Sequence, residues 1–276
     1  MQRMVIFGLG YTASRIARAL ERAGWEVVST GRNGTLSFDD VGTVRMALAD
    51  ADAVLSSVPP GGEGLDPVLE HYGTALNGHG RRAPWLGYLS STGVYGDTRG
   101  AWVDETAALV GSGGASGRRT ARADCDLEWL ARGARVFRLP GIYGPGRSQL
   151  DRVRTGTAHR VDMPGQVFSR IHVDDIASAV VAALPAPPGA YNLADELPCA
   201  QNRVIEEAAR LIGQPPPPLL PLDQAGLSPQ ARAFYAESRR VTNRKARRVL
   251  GWSPAHPTYR EGLRAILAAE EASGSA

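Results

Sequence analysis

The chain has 276 residues, 43% apolar and 21% charged, enough to bury a full core as one large domain or as a domain with a smaller lobe. No apolar stretch approaches the roughly 20 residues that cross a bilayer, and Met4, Val5, Ile6 and Phe7 already read as a buried strand, so no membrane partner and a cytoplasmic location are expected. The net charge is only +3, and the densest basic cluster, Arg239, Arg240, Arg244, Lys245, Arg247 and Arg248, has helical spacing without interleaved aromatics, which predicts a solvated helix face and no nucleic-acid partner.

Met4 to Phe7 is followed by Gly8, Leu9, Gly10, Tyr11, Thr12 and Ala13, after which Ile16, Ala17, Ala19 and Leu20 recur at helical spacing up to Gly24. Strand, tight turn and helix in this order give Gly-x-Gly-x-x-Ala its meaning as a dinucleotide site. The glycines permit the turn and let a pyrophosphate approach the backbone, while the helix N-terminus offers free N–H groups and partial positive charge. Residues 8–12 are therefore predicted to hold the cofactor. The second strand, Glu26 to Ser29, should end about 20 residues after the glycines, where a carboxylate would bind an adenosine ribose. The chain instead offers Thr30, Gly31, Arg32 and Asn33. A guanidinium at Arg32 can pair with a 2′-phosphate, which predicts NADP(H) rather than NAD.

Residues 53–58, before Pro59 and Pro60, read as a fourth strand, 85–91 as a fifth and 134–139 as a sixth. The tips at 56–60, 90–95 and 140–146 should converge on one crevice at the carboxyl ends of a parallel sheet, which adds Ser57, Val58, Pro59 and Ser90 to the cofactor site. The fold class expected is α/β, a Rossmann-type doubly wound parallel sheet with a smaller, mostly helical C-terminal substrate lobe. Cys125 and Cys199 lack metal-ligand spacing and are expected as reduced thiols. Neither do His71, His79, His159 and His256 show ligand spacing.

Residues 89–96 (Leu-Ser-Ser-Thr-Gly-Val-Tyr-Gly), 138–146 (Arg-Leu-Pro-Gly-Ile-Tyr-Gly-Pro-Gly) and 170–177 (Arg-Ile-His-Val-Asp-Asp-Ile-Ala) resemble successive signatures of the extended short-chain dehydrogenase/reductases, the epimerase/dehydratase group. The likeness continues through 189–193, 242–252 and 259–263. With its glycine loop, its Ser-Ser-Val-Pro-Pro run at 56–60 and its short length, the chain is most similar to the atypical, NADP-binding, YeeZ-like branch.

The resemblance implies a nucleotide domain of residues 1–145 plus about 171–193, and a substrate lobe of 146–170 plus 194–276. It places the family's catalytic Ser/Thr on Ser91. The family's Tyr-x-x-x-Lys pair is absent: Lys245 is the single lysine and Val241 stands four places before it. On the helix expected at 116–131, Ser116 takes the tyrosine position and Thr120 the lysine position. Arg118 and Arg119 could restore positive charge there, and Tyr95 and Tyr143 are the candidate substitute acids. Arg147, Arg170 and Arg240 could grip an acidic or phosphorylated small-molecule substrate. His172, Asp174 and Asp175 should mark a strand-to-helix transition with the aspartates as caps, and no metal site is expected. The functional expectation is an NADP(H)-dependent oxidoreductase or epimerase-like enzyme, monomeric or homodimeric, acting on a small polar substrate. A non-catalytic NADP(H)-binding redox sensor is the alternative, and a sugar-nucleotide epimerase with a relocated acid is a third reading.

Overall fold

The computed structural model describes residues 1–77, 84–111 and 118–274. Strands β1 (Arg3–Phe7), β2 (Glu26–Ser29), β3 (Ala53–Ser56) and β4 (Trp85–Ser91) come first, each after the first reached through a helix or turn. Two-residue strand β5 (Trp102–Val103) precedes β6 (Arg135–Leu139), β7 (Gly141–Tyr143), β8 (Arg160–Val161), β9 (Arg170–His172), β10 (Gly189–Asn192), β11 (Leu219–Leu220) and β12 (Arg240–Val241). Six of them form a sheet in the order β10, β6, β4, β3, β1, β2, with every pairing parallel.

Buried strands covered on both faces read as continuous apolar runs, and β1 shows why. Met4 and Ile6 point into one core with Leu55 and Phe137, while Val5 and Phe7 point into another with Tyr72, Tyr88 and Trp129. The first face is covered by α1 (Tyr11–Arg22) and, later in the chain, α6 (Val173–Ala182). The second is covered by α2 (Val41–Ala49), α3 (Pro67–Tyr72) and α4 (Arg118–Ala131). Helices α5 (Gln149–Arg154), α7 (Gln201–Leu211) and α10 (Tyr259–Gly274) build a separate core around Leu150, Ile205 and Leu263. Helix α8 (Pro229–Tyr235) closes a small cluster with Phe168.

Three details differ from the sequence reading. Between β2 and β3 the described chain makes only α2 and an isolated bridge from Thr30 to Leu36, so residues 53–56 are the third strand and not a fourth. The basic cluster is not one helix face. Arg240 sits on β12, paired with β5, Arg239 reaches the carbonyls of Gly96 and Thr92, and only Arg244 onward is helical, in α9 (Arg244–Leu250). Finally, Ala246 and Trp252, placed by sequence in the substrate lobe, pack into the sheet core with α1 and α6. No helix among the described residues is long and apolar enough to cross a membrane.

Candidate cofactor and substrate site

Strand β1 pairs with β2 on one side and β3 on the other, so consecutive crossovers diverge there and open a crevice at the carboxyl ends of β1 and β3. Gly8 occupies that point with φ of 83°, and a Cβ on it would lie 3.0 Å from Val58 Cγ2. The Gly8 and Leu9 amides donate to the Thr30 hydroxyl (3.2 Å) and carbonyl (2.7 Å), tying the glycine turn to the tip of β2. The Ser57 amide donates to the Phe7 carbonyl at 2.9 Å. Residues 8–10, 30–31 and 57–58 thus form one wall.

That wall faces open space. Gly10 is the N-cap of α1 and no side chain caps the helix; its first turn carries no acid, and a Cβ on Gly10 would meet no atom within 4 Å. An uncapped helix start, whose first N–H groups find no side-chain acceptor at the cap, with room in front of Gly10 fits a diphosphate. Thr12 is buried beneath the turn, and Pro59 and Arg32 are exposed. The Arg32 guanidinium makes no hydrogen bond or ion pair with another described residue. The residues present therefore fit a dinucleotide, with Arg32 at the β2 tip beside the position of its adenosine ribose.

The hydroxyls named from the sequence are differently placed. Ser91 ends β4, and its Oγ accepts the Gly93 amide at 3.1 Å, leaving its own proton free to donate. Ser90 is buried and donates to Asp126 at 2.6 Å. Asp126, on α4, takes two hydrogen bonds from Arg138, whose Nη1 donates to Tyr95 Oη at 2.9 Å; Tyr95 in turn donates to Asn192 at 2.8 Å. The Asn192 amide donates to Glu105 at 2.7 Å. Burial raises the Tyr95 pKa, and both its donor and its acceptor capacity are engaged within this network. Asp126 gave no sequence signal beyond being an acid on a helix.

Lys245 donates to the Ala190 carbonyl at 2.8 Å and lies over the Tyr191 ring, at the β10 edge and not beside the β4 tip. Thr120 packs against Gly111, where an added Cβ would fall 2.6 Å from its hydroxyl. Ser116 and His79 lie outside the described residues, as do the side chains of Arg118 and Arg119.

Tyr143 stands on β7 opposite His172 on β9. Its hydroxyl is buried with no hydrogen-bond partner among the described residues, and α10 passes it at Gly262 so closely that a Cβ there would overlap the ring. Burial, reinforced by Asp195 and Asp175, raises its pKa. A phenol sealed this way holds its proton and is a poor crevice acid.

His172, not an aspartate, caps α6: its Nδ1 accepts the Asp174 amide at 3.3 Å. Asp175 instead accepts the amides of Ala255 and His256 and the His256 ring at 3.0 Å. His172, Asp175 and His256 have ligand atoms within 4.8 Å of one another, but a metal on His172 Nε2 would need the proton moved onto Nδ1, where the cap requires a lone pair. The arrangement is that of a helix cap and a latch to the 255–256 loop. Burial holds the His172 imidazole down to about 4, with His256 adding to it. Cys125 and Cys199 are free thiols.

A cavity of about 530 Å³ opens between β7, α5, α7 and α8. Arg147 and Arg170 both line it, together with Arg152 and His159, which sequence reasoning had not singled out for binding. Arg170 is buried and committed to Cys199 Sγ (3.0 Å), the Cys199 carbonyl and Gln201. Arg147 lies over the ring of Tyr11, whose hydroxyl donates to the Pro145 carbonyl at 3.1 Å. Through Tyr11, the cavity rim touches the first turn of the cofactor helix. Arg240 is turned away, donating to the Gly100 carbonyl.

The sheet order, the glycine turn at the switch point and the lobe beside it define a Rossmann-type short-chain dehydrogenase/reductase of epimerase/dehydratase-like architecture. No protein-family model matches the chain. It is 30% identical over 251 residues to protein YeeZ of Escherichia coli (strain K12), covering 79% of this chain and 86% of that one. A 3-diazoavenalumate denitrifying reductase from a Streptomyces species is 32% identical over 160 residues, so the match spans about half of each chain, 52%. A conserved protein of unknown function from Silicibacter pomeroyi has a TM-score of 0.84 at 39% identity over 98% of this chain and 99% of its own. A human epimerase family protein solved with NADPH shares the fold at a TM-score of 0.74 and 18% identity, over 97% of this chain and 99% of that one. The chain belongs to the atypical, YeeZ-like branch of the short-chain dehydrogenase/reductases.

Proposed function

We propose that this protein is an NADP(H)-dependent reductase of a small anionic substrate, whose turnover does not draw a proton from a Tyr-x-x-x-Lys pair. The observation that carries the reading is the uncapped start of α1 facing free space at Gly10, with Arg32, exposed and without a partner among the described residues, at the β2 tip. A 2′-phosphate beside Arg32 would gain charge-assisted hydrogen bonds that a ribose hydroxyl cannot match, and the human relative in fold was solved with NADPH.

The chemistry follows from which groups can move a proton. Tyr95 and Tyr143 are engaged or sealed, and Lys245 is held at the β10 edge. Ser91 can hydrogen-bond and orient an acceptor, but without an adjacent base it is a poor acid. NADPH, when bound, supplies a hydride, and an electrophile that expels a neutral leaving group on accepting it, as a diazonium expels dinitrogen, requires no proton from the protein. The Streptomyces relative is named for a diazo substrate and for denitrification.

The test is a fluorescence titration of NADPH and NADH, followed by NADPH oxidation against carboxylate-bearing carbonyl compounds and carboxylate-bearing arenediazonium salts, for the natural protein, Arg32→Ala and Ser91→Ala. The reading expects Arg32→Ala to weaken NADPH roughly tenfold or more while leaving NADH unchanged, and turnover of an acceptor that Ser91→Ala slows. Equal effects on both nucleotides would remove the NADP assignment. Tight NADPH binding without turnover of either acceptor class would favour the sensor reading, which the sealed tyrosines also support.

A further inference from the structure

We infer that the cavity between β7, α5, α7 and α8 binds a compact aromatic acid, its ring on the Phe168 and Phe234 wall and its carboxylate between Arg147 and Arg152. The inference rests on the proposed reductase function and names the substrate class for it.

One side of the cavity is aromatic. Phe168 and Phe234 stack with centroids 4.0 Å apart and planes 14° apart, and Tyr235 meets both edge-on at 5.7 and 5.9 Å. Phe234 nonetheless leaves 44% of its surface uncovered. A ring face at a cavity mouth offers an offset-stacking surface to a flat ligand. The volume suits a ligand of modest size.

The same cavity carries charge that no described carboxylate offsets. Arg152 forms no ion pair with a described residue, and Arg147 has only the Tyr11 ring for company. His159 adds a third donor. The acid lining the same space, Asp151, is occupied: it accepts the Ser148 amide and hydroxyl at 2.9 and 2.8 Å and faces Arg154 at 4.0 Å. Two guanidiniums without carboxylate partners among the described residues, beside an acid whose oxygens are taken up by the Ser148 cap, form a site for an anion.

A nucleoside diphosphate also pairs a ring with negative charge, but the cavity is poorly made for it. The start of α5 is closed by the reciprocal Ser148 and Asp151 cap, which puts a carboxylate where a diphosphate would seek helix N–H groups. Arg170, placed to meet a second phosphate, has both terminal nitrogens committed to Cys199 and Gln201. What remains matches a carboxylate.

The experiment is calorimetry on the full chain with NADP⁺ present, using four probes: 3-phenylpropionate, 3-cyclohexylpropionate, 3-phenylpropanol and uridine diphosphate. 3-Phenylpropionate should bind, with the cyclohexyl acid and the neutral alcohol each at least roughly tenfold weaker, about the worth of one aromatic pair or one charged hydrogen bond. Arg152→Gln and Arg147→Gln should each weaken the acid by a similar factor, Arg152→Gln without changing NADPH affinity, and Phe234→Leu should erase the preference for the phenyl ring. Tighter binding of uridine diphosphate than of the acid overturns the inference, as does an acid affinity unmoved by both arginine variants. If the acid fails to bind while NADPH still does, this inference falls and the reductase reading stands; if NADPH itself fails to bind, both fall.

Discussion

Arg138 holds Asp126 through two hydrogen bonds of 2.7 and 3.1 Å, and both side chains are buried, at 2% and 0% exposure. The pair ties the helix that carries the family's catalytic positions to β6 of the sheet; Ser90 donates to Asp126, Arg138 donates to Tyr95, and Tyr95 in turn donates to Asn192. Removing one partner of such a pair leaves a buried charge uncompensated. Asp126→Ala should lower stability by about 3–5 kcal/mol, measured by urea denaturation. Exchanging both partners for leucine should recover part of that loss, because neither charge then remains buried. If Asp126→Ala matched the natural protein in midpoint and slope, the network would have no structural role.

Gly8 and Gly10 are both glycine for different reasons, and two variants separate them. Gly8→Ala forces a positive φ on alanine and presses its methyl against Val58, so it should destabilise the fold by about 1–2 kcal/mol. Gly10→Ala has extended backbone and open space around its methyl, so the melting temperature should hold. Its NADPH affinity should fall roughly tenfold or more, because the methyl stands where a diphosphate approaches the N–H groups. A Gly10→Ala protein that binds NADPH normally would show that the cofactor does not use this turn.

The glycine turn was legible in the sequence because its strand, turn and helix are contiguous within 24 residues, each with its own periodicity. So were the strands at 85–91 and 135–139, from the apolar residues of Trp85 to Leu89 and from Val136, Phe137 and Leu139, although Arg135 and Arg138 interrupt the second. The Arg138 network was not. Its members at 90, 95, 126, 138 and 192 meet only through the sheet order, and no local pattern marks a buried arginine. The basic run at 239–248 misled for a related reason: helical spacing of charges cannot reveal that Arg240 pairs with β5 before the helix begins. The strand-to-helix transition at His172 was legible, but that the imidazole rather than an aspartate caps α6 is visible only from the direction of the Asp174 amide.

The single lysine supplies a further test. In the family a lysine assists the catalytic tyrosine, whereas Lys245 here braces the Ala190 carbonyl and the Tyr191 ring. Lys245→Met should keep the stem's packing and lose the charged contacts, lowering stability by about 1–2 kcal/mol. NADPH affinity and turnover should not change. A large loss of turnover at unchanged stability would return this lysine to the catalytic account.

Asp195 makes the pH dependence of stability testable with its sign. Its carboxyl is buried beside Arg170, with Oδ1 accepting the Leu197 amide at 3.2 Å and Oδ2 without a partner among the described residues. Burial pushes its pKa up to about 7, although Arg170 opposes the shift. The folded protein therefore keeps a proton that the unfolded chain releases above about pH 4. Stability contributed by this group is complete below that pH and declines as the pH rises to about 7, where the folded form must also ionise. Asp195→Asn retains an acceptor for Leu197 and cannot ionise. It should match the natural protein near pH 5 more closely than at pH 8, where it should be the more stable by an amount on the order of a few kcal/mol. His172 acts in the opposite sense: its depressed pKa removes stability as the pH falls from about 6.5 to about 4. That contribution is common to both proteins and cancels in their difference. Urea denaturation of the two at pH 5 and pH 8 measures it directly, and a natural protein as stable as the variant at pH 8 would mean that Asp195 is ionised in the fold and held by Arg170.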